Sequence, residues 1–414
     1  MPFSVVNIGC KVNRVELDAV AAKLIARGAR VADEGEADVV IVNTCTVTGE
    51  ADKKTRKAVR QALKDNPHAT ILVTGCAAVM NPRWFDELDD RVSVVAKPDA
   101  ESRAWECLVA HENAASSSPE SALRIGDGFR ARVGIKVQDG CNNACTFCIV
   151  HVARGRSHSL PWQKICEEAR AYSEAGVREL VLTGINLGAY HDDGHSLASL
   201  LKMLLDACPQ SRIRISSVEP HDIDDDLIEL MAASDGRICR HLHLPLQSGS
   251  SRVLAEMNRP YDAEAFLSLV RRLRQAMPSL SLSTDIIAGF PGETEKDFSE
   301  TLAVAREAGF SKIHAFRYSR RAGTPAAERS DQVTPEIIAR RAHELMDLGR
   351  ELSRADAQSR RGSEEFVLVE QAGRGTSESY HRVSWANPEQ TCPPVGSLVS
   401  VKLDAISQDG GFIV

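Results

Sequence analysis

Aromatic side chains are scarce in this chain: five Tyr, four Trp and eleven Phe among 414 residues. The 43% hydrophobic content nevertheless keeps the composition in the globular class and excludes a disordered or fibrous chain. An excess of positive charge is also missing. Lys and Arg number 50 against 57 Asp and Glu, and the net charge of -7 excludes a broadly basic nucleic-acid-coating surface, so only local clusters could meet phosphate. No apolar run is long enough to cross a bilayer, and Lys11, Arg14, Glu16 and Asp18 interrupt the first twenty residues, so no signal-peptide core is expected and the cytoplasm is the expected compartment. The length exceeds the roughly 250–300 residues at which single cores stop growing, which implies two or three domains.

Cysteine, by contrast, is plentiful. An odd total of eleven in an expected reducing compartment argues against a disulfide framework and for metal ligation or catalysis by any clustered subset. Cys107, Cys166, Cys208, Cys239 and Cys392 lie singly in helix-like or strand-like stretches and read as small buried hydrophobes.

Short Val/Ile-rich runs (FSVVNIGC, ADVVIVNTC, ATILVTGC, RVSVVAKP) alternate with amphipathic stretches up to about His111. This βαβα pattern predicts a parallel sheet covered on both faces, a doubly wound α/β domain of the flavodoxin-like kind over 1–111. Residues 112–128 lack apolar periodicity and read as a Ser/Ala/Gly-rich linker. Six further strand-like segments over 129–358, each followed by helical sequence, predict a partial (β/α)6 barrel with its chemistry at the C-terminal strand ends. The tail, 359–414, alternates apolar and polar residues between Gly-containing turns, as a small antiparallel β-barrel would.

The densest chemistry lies just past the first barrel strand, where CNNACTFC places Cys141, Cys145 and Cys148 in one loop. Three thiolates can hold a four-iron cubane with one iron left open to chelate an amine and a carboxylate. A closed Cys3His zinc site completed by His151 is the structural alternative. Cys10, Cys45 and Cys76 end the first three N-terminal strands in the contexts NIGC, NTC and TGC, so they can converge at one sheet edge on a second cluster; the alternative is three buried thiols. At the other barrel strand ends stand Gly184, Asn186, Glu219, Gln247, Ser248, Gly289 and Glu293, candidates to bind an adenosine and an amino-acid moiety, or simple turn and cap residues.

CNNACTFC followed by IVHVARGRSHS resembles the cluster loop of radical S-adenosylmethionine (SAM) enzymes, and the N-terminal cysteine triplet resembles the methylthiotransferases, which join that domain to a radical SAM barrel and a TRAM domain. GCKVN, LTGINLGAY, HLHLPLQSGS, TDIIAGFPGET and YSRRAGTPA look most like the branch acting on N6-threonylcarbamoyladenosine beside the tRNA anticodon. The resemblance implies two 4Fe-4S clusters: one on Cys141, Cys145 and Cys148 that cleaves SAM to a 5'-deoxyadenosyl radical, and an auxiliary one on Cys10, Cys45 and Cys76. It further implies methylthiolation at C2 of that adenine, a TRAM-like tail that grips the anticodon loop, a sulfur source, and an electron donor such as flavodoxin or ferredoxin. Two residues depart from the family pattern: His151 stands where Pro is usual, and RRAGT replaces a more proline-rich stretch. Competing readings are the same chemistry on isopentenyladenosine in tRNA or on a ribosomal-protein aspartate, and a non-catalytic metal-bearing RNA-binding protein.

Overall fold

The computed structural model describes residues 1–32, 35–112, 131–407 and 410–414; beyond Glu112, the expected linker lies outside them. The chain forms two compact units, Met1–Leu123 with Cys148–Arg156, and Arg124–Phe147 with Ser157–Val414.

In the first unit, β1 (Pro2–Asn7), β2 (Arg30–Val31), β3 (Val39–Thr44), β4 (Thr70–Gly75) and β5 (Val92–Val94) form a parallel sheet in the order β2-β1-β3-β4-β5. That is the flavodoxin-like order expected from the sequence. Alternation within β3 explains why both faces are covered. Val39 and Ile41 pack with Leu17 and Leu24 of α1 (Lys11–Ala26) and with Ala104 and Leu108 of α5 (Ala100–Glu112). Val40 and Val42 pack with Val59 and Ala62 of α2 (Gly49–Asp65) and with Ala77 of α3 (Cys76–Met80) and Phe85 of α4 (Pro82–Asp86). A strand buried on both faces can be apolar at every position, and all six β3 residues are buried.

The second unit carries six principal parallel strands: β6 (Arg132–Lys136), β7 (Glu179–Thr183), β8 (Arg212–Ile215), β9 (His241–His243), β10 (Ser281–Ala288) and β11 (Lys312–Arg317). They form two three-stranded sheets, β6-β7-β8 and β9-β10-β11, with a parallel bridge between Ser217 and His243 linking their edges. The result is the partial barrel expected from the sequence. A C-terminal sheet of six short strands, from β12 (Glu364–Gln371) to β17 (Phe412–Ile413), is antiparallel except where Arg382–Ser384 runs parallel to β17.

This C-terminal sheet docks on the N-terminal strand ends, away from the barrel's chemical edge, through a buried ionic layer. Glu179 is wholly inaccessible and receives Arg212 Nε at 2.6 Å and Arg214 Nε at 2.7 Å. The remaining guanidinium hydrogens reach across. Arg212 donates to the carbonyls of Phe366 (2.8 Å) and Thr376 (3.2 Å), and Arg214 donates to those of Ser377 (2.9 Å) and Glu378 (3.1 Å). Tyr380, held at φ +73°, places its ring 4.8 Å from the Arg214 guanidinium and 4.7 Å from His241.

Burial alone would raise the Glu179 carboxyl, but Arg214 and Arg212 outweigh it and bring it down to about 2. Because the folded-state value is depressed, this group's stabilisation is present above the ordinary carboxylate range and is lost progressively as pH falls from that range through about 2. Glu179→Gln leaves two buried cations uncompensated and should lower the unfolding free energy by ~3–5 kcal/mol in a denaturant titration. Neutralising exposed Arg103, paired with Glu106 at 3.0 Å, should cost less than about 1 kcal/mol.

Candidate functional site

In the first unit, β1, β3 and β4 are adjacent and in register, with Asn7 opposite Asn43 and Thr44 opposite Gly75. Their C-terminal ends are therefore neighbours. Cys10 caps α1, Cys45 follows β3 directly and Cys76 opens α3, so the three cysteines sit at equivalent turns of adjoining strands. Two buried asparagines fix the spacing: Asn13 Nδ2 donates to Asn43 Oδ1 (2.9 Å) and to the Thr44 carbonyl (2.8 Å), while Asn43 Nδ2 returns a bond to the Asn13 carbonyl (2.8 Å). Arg154 bonds Asn13 and pairs with Glu16 at 3.0 Å.

Glycine precedes two of the thiols for a steric reason. At Gly75, where φ is +96°, an added Cβ would lie 2.4 Å from Asn43 Oδ1, and at Gly9 it would lie 2.2 Å from Asn13 Nδ2. The thiols also feel one another. Burial pushes the Cys45 thiol up to about 11, and the nearby thiols of Cys10 and Cys76 add to the rise. Three thiols brought together at a sheet edge, each free and graded from exposed Cys10 to buried Cys76, fit a three-thiolate metal group.

In the second unit, Cys141 and Cys145 occupy the loop after β6. Burial raises both thiols; the Asn143 amide, 3.4 Å from Cys141 Sγ, and the Arg259 guanidinium, 3.1 Å from Cys145 Sγ, oppose the rise. A cation and an amide aimed at the sulfurs stabilise thiolates, which are the ligating form. Cys148, next in the same loop, belongs to the first unit and accepts the Val150 amide at 3.4 Å. His151 is exposed on the short helix Val150–Arg154.

The loop is held by the turn after PLQSGS. Thr146 Oγ1 donates to the Glu256 carbonyl (2.9 Å), Asn258 Nδ2 to the Ala144 carbonyl (3.0 Å), and Phe147 packs on Val253, Met257 and Phe290. Arg259, which the sequence did not single out, is the hub of this turn: it bonds Cys145, Glu219 and the Tyr261 hydroxyl, and that hydroxyl donates to the Pro245 carbonyl at 2.7 Å.

The expected strand-end residues divide by what they touch. Glu219 is brought to the cysteine loop through Arg259, close enough to bear on Cys141. Gly184 and Asn186 meet Gln138: the Asn186 amide donates to Gln138 Oε1 at 2.8 Å, and a Cβ at Gly184 would touch the same oxygen at 3.0 Å. Gln247, at φ +63°, bridges to Ile286. Ser248 and Glu293 face inward instead. The Ser248 hydroxyl lies 3.3 Å from Thr301 Oγ1, and Glu293 pairs with buried Arg341 at 2.6 Å while accepting the Gly289 amide at 3.1 Å.

A further cluster escaped the sequence reading. His243, Asp285 and His314 come from the adjoining strands β9, β10 and β11, and their ligand-type atoms all lie within 4.8 Å of one another. His243 Nδ1 is 3.0 Å from Ser283 Oγ, which turns Nε2 toward Asp285 at 3.3 Å. Each residue is a single unremarked polar position in its own strand, and the registers that set His243 opposite Ser283 and Asp285 opposite His314 unite them.

Comparison with known proteins adds the following. Residues 135–305 match the Radical SAM superfamily, and residues 3–96 match Uncharacterized protein family UPF0004. A Chlamydia pneumoniae protein named threonylcarbamoyladenosine tRNA methylthiotransferase MtaB is 37% identical over 99% of this chain and 96% of its own length. The protein of that name from Bacillus subtilis (strain 168) is 36% identical over 96% and 92%. A tRNA-2-methylthio-N(6)-dimethylallyladenosine synthase from Lachnoclostridium phytofermentans is 34% identical over 97% and 93%. Among solved structures, the radical SAM methyltransferase TsrM of Kitasatospora setae superposes with a TM-score of 0.57 at 15% identity, covering 79% of this chain and 77% of that one, a likeness of fold.

The thiol environments lead to a direct expectation. In metal-free protein at pH 7.5, half-buried Cys45 should react with iodoacetamide far more slowly than exposed Cys10, with its rate rising until pH approaches about 11. Mass-spectrometric peptide mapping across pH reads this; equal rates at pH 7.5 would contradict the buried setting.

Proposed function

Because the chain belongs to the radical SAM tRNA methylthiotransferase family, we propose that it adds a methylthio group to C2 of N6-threonylcarbamoyladenosine, position 37 of tRNA next to the anticodon, using two 4Fe-4S clusters. The observation that carries the two-cluster part is the meeting of Cys10, Cys45 and Cys76 at one sheet edge, in addition to the cysteine loop of the barrel. For the base, identity alone does not separate the branches, since relatives named for dimethylallyladenosine also reach 34–37%. GCKVN supports the threonylcarbamoyl branch, together with the names of the relatives that match over nearly the whole chain.

Cys141, Cys145 and Cys148 would hold the SAM-binding cluster and Cys10, Cys45 and Cys76 the auxiliary one. When bound, these groups supply the electron that cleaves SAM and the sulfur that is transferred. The chain's own part is positioning. Arg259 opposes the rise that burial imposes on the Cys145 thiol and carries Glu219 beside it, while Gln138 ties the end of β6 to the LTGIN turn, where Gly184 and Asn186 are placed to meet an adenosine moiety. His243, Asp285 and His314 offer hydrogen-bonding groups on the barrel strands for a polar substrate, with Asp285 partly open to solvent. The tail over 359–414 serves as the RNA-gripping TRAM-like domain, and the electron donor, such as flavodoxin or ferredoxin, and the sulfur source act on the assembled enzyme.

Anaerobic reconstitution should give roughly eight irons per chain, falling to about four in Cys141→Ala and in Cys45→Ala, with 5'-deoxyadenosine formation abolished in the first of these. Four irons in wild type, or none lost in Cys45→Ala, would remove the second cluster. Nucleoside analysis of tRNA from a deletion strain should show loss of 2-methylthio-N6-threonylcarbamoyladenosine with the unmethylthiolated precursor accumulating; loss of the isopentenyl analogue instead would reassign the base.

A further inference from the structure

One helix of the first unit carries an arrangement of charge that none of the chemistry above uses. Helix α2 starts four residues after Cys45, is capped by Thr48 Oγ1 accepting the Ala51 amide at 3.1 Å, and holds the Cys45 carbonyl through Thr55 Oγ1 at 3.2 Å. Thr55, Val59 and Ala62 face the sheet. Along the exposed side, Lys53, Arg56, Lys57, Arg60 and Lys64 line one shallow groove. These are successive i, i+3 and i, i+4 neighbours, so the helix stacks like charges where alternating signs would stabilise it.

Nothing in the described residues neutralises this row. None of the five forms an ion pair, whereas Lys54, off the row, reaches Glu50 at 3.9 Å, and Asp65 at the helix end is taken by Gln61 Nε2 at 2.7 Å. Two of the five are held in place by an aromatic ring instead: the guanidiniums of Arg56 and Arg60 lie 5.0 Å and 5.8 Å from the Trp84 ring centroid. Stacking fixes their position without consuming their charge.

We infer that the exposed face of α2 is a docking track for the phosphate backbone of RNA, leading from a stem to the cysteine edge at Cys45. The inference rests on the tRNA reading given above and assigns to it a surface that the TRAM-like tail does not supply. From Lys53 to Lys64 the row spans ~16 Å at the helical rise of 1.5 Å per residue, the length of about five phosphates along one strand of a duplex. In a chain of net charge -7, a polyanion is the partner whose charge complements such a row.

The test uses the cluster-reconstituted enzyme and fluorescently labelled tRNA bearing the threonylcarbamoyl group, with Kd measured by anisotropy across a KCl series. The variant Lys53→Gln, Lys57→Gln, Lys64→Gln leaves the Arg56 and Arg60 stack on Trp84 intact. A control of equal charge change, Lys164→Gln, Lys202→Gln, Lys296→Gln, removes exposed lysines elsewhere, and iron content and thermal melting verify that both fold. The track variant should bind at least about tenfold more weakly at 0.15 M salt, and the slope of log K against log salt should be shallower by roughly 2 to 3, one step of ~0.9 for each lost phosphate contact. The KM for tRNA should rise with kcat kept, and Lys53→Arg, Lys57→Arg, Lys64→Arg should restore binding. Equal affinity and slope in the track variant and wild type would overturn the inference while leaving the tRNA reading intact, as would equal weakening in the control. Failure of wild type itself to bind tRNA would overturn both.

Discussion

Cysteines scattered over 66 positions can share one metal group only if the backbone brings their Cα atoms to within a few ångströms, and a parallel sheet does this at its C-terminal edge. Strands β1, β3 and β4 are neighbours in the sheet although α1, α2 and β2 intervene in sequence, and their register ends them level. The polar groups at that edge hold the three turns level. Position 75 takes glycine because its φ is positive and any side chain there would strike Asn43, and Asn43 is amide-bonded to Asn13 on the first turn of α1, beside Cys10. The apolar faces of the sheet are covered by ordinary helix packing, but its edge is built from polar groups satisfied by one another, so that the thiols are left for something else.

The second unit solves a different problem. An open six-stranded barrel leaves its N-terminal end uncovered, and apolar side chains there would need a large apolar lid. The chain instead places Glu179 between Arg212 and Arg214 and closes the end with carbonyls from the C-terminal sheet. A buried ion pair costs desolvation that its attraction scarcely offsets, so the arrangement is better understood as fixing orientation than as adding stability. Guanidinium groups donate in fixed directions, and four carbonyls of the tail accept from two of them, which specifies one docking pose. The opposite end of the barrel is thereby left to the cysteine loop and the strand-end residues.

How much of this could be read in advance depended on the kind of signal. The doubly wound sheet was legible because VVIVNT and TILVTG are buried on both faces and so show no alternation, and the partial barrel because each strand runs into a polar turn. That Cys10, Cys45 and Cys76 lie at equivalent turns of adjoining strands was legible from their repeated strand-end context. Arg259 was not, because nothing local marks a residue whose partners lie at 145, 219 and 261. His243, Asp285 and His314 were hidden for the same reason: the property belongs to the register between strands. Ser248 and Glu293, polar residues in recognisable motifs, add contacts the sequence did not show, to Thr301 and to Arg341 on neighbouring helices.

Charge illustrates how structure reorders what composition suggests. The arginines that gather in the second half of the sequence are the obvious candidates to meet a polyanion, yet five of them are already committed to carboxylates. Arg271 pairs with Glu264 and Glu307, Arg272 with Asp225, Arg340 with Glu295 and Glu344, Arg341 with Glu293, and Arg360 with Asp356 and Glu365. A cation whose charge is met by a neighbouring carboxylate contributes little field at a distance, since the pair is nearly neutral beyond its own separation and salt screens the remainder. Counting Arg and Lys by region therefore overstates the second half and understates α2, whose five cations pair with no carboxylate among the described residues. The surface potential of a protein with net negative charge is decided by which cations are left unpaired and fixed, and here those stand on the helix that begins beside Cys45.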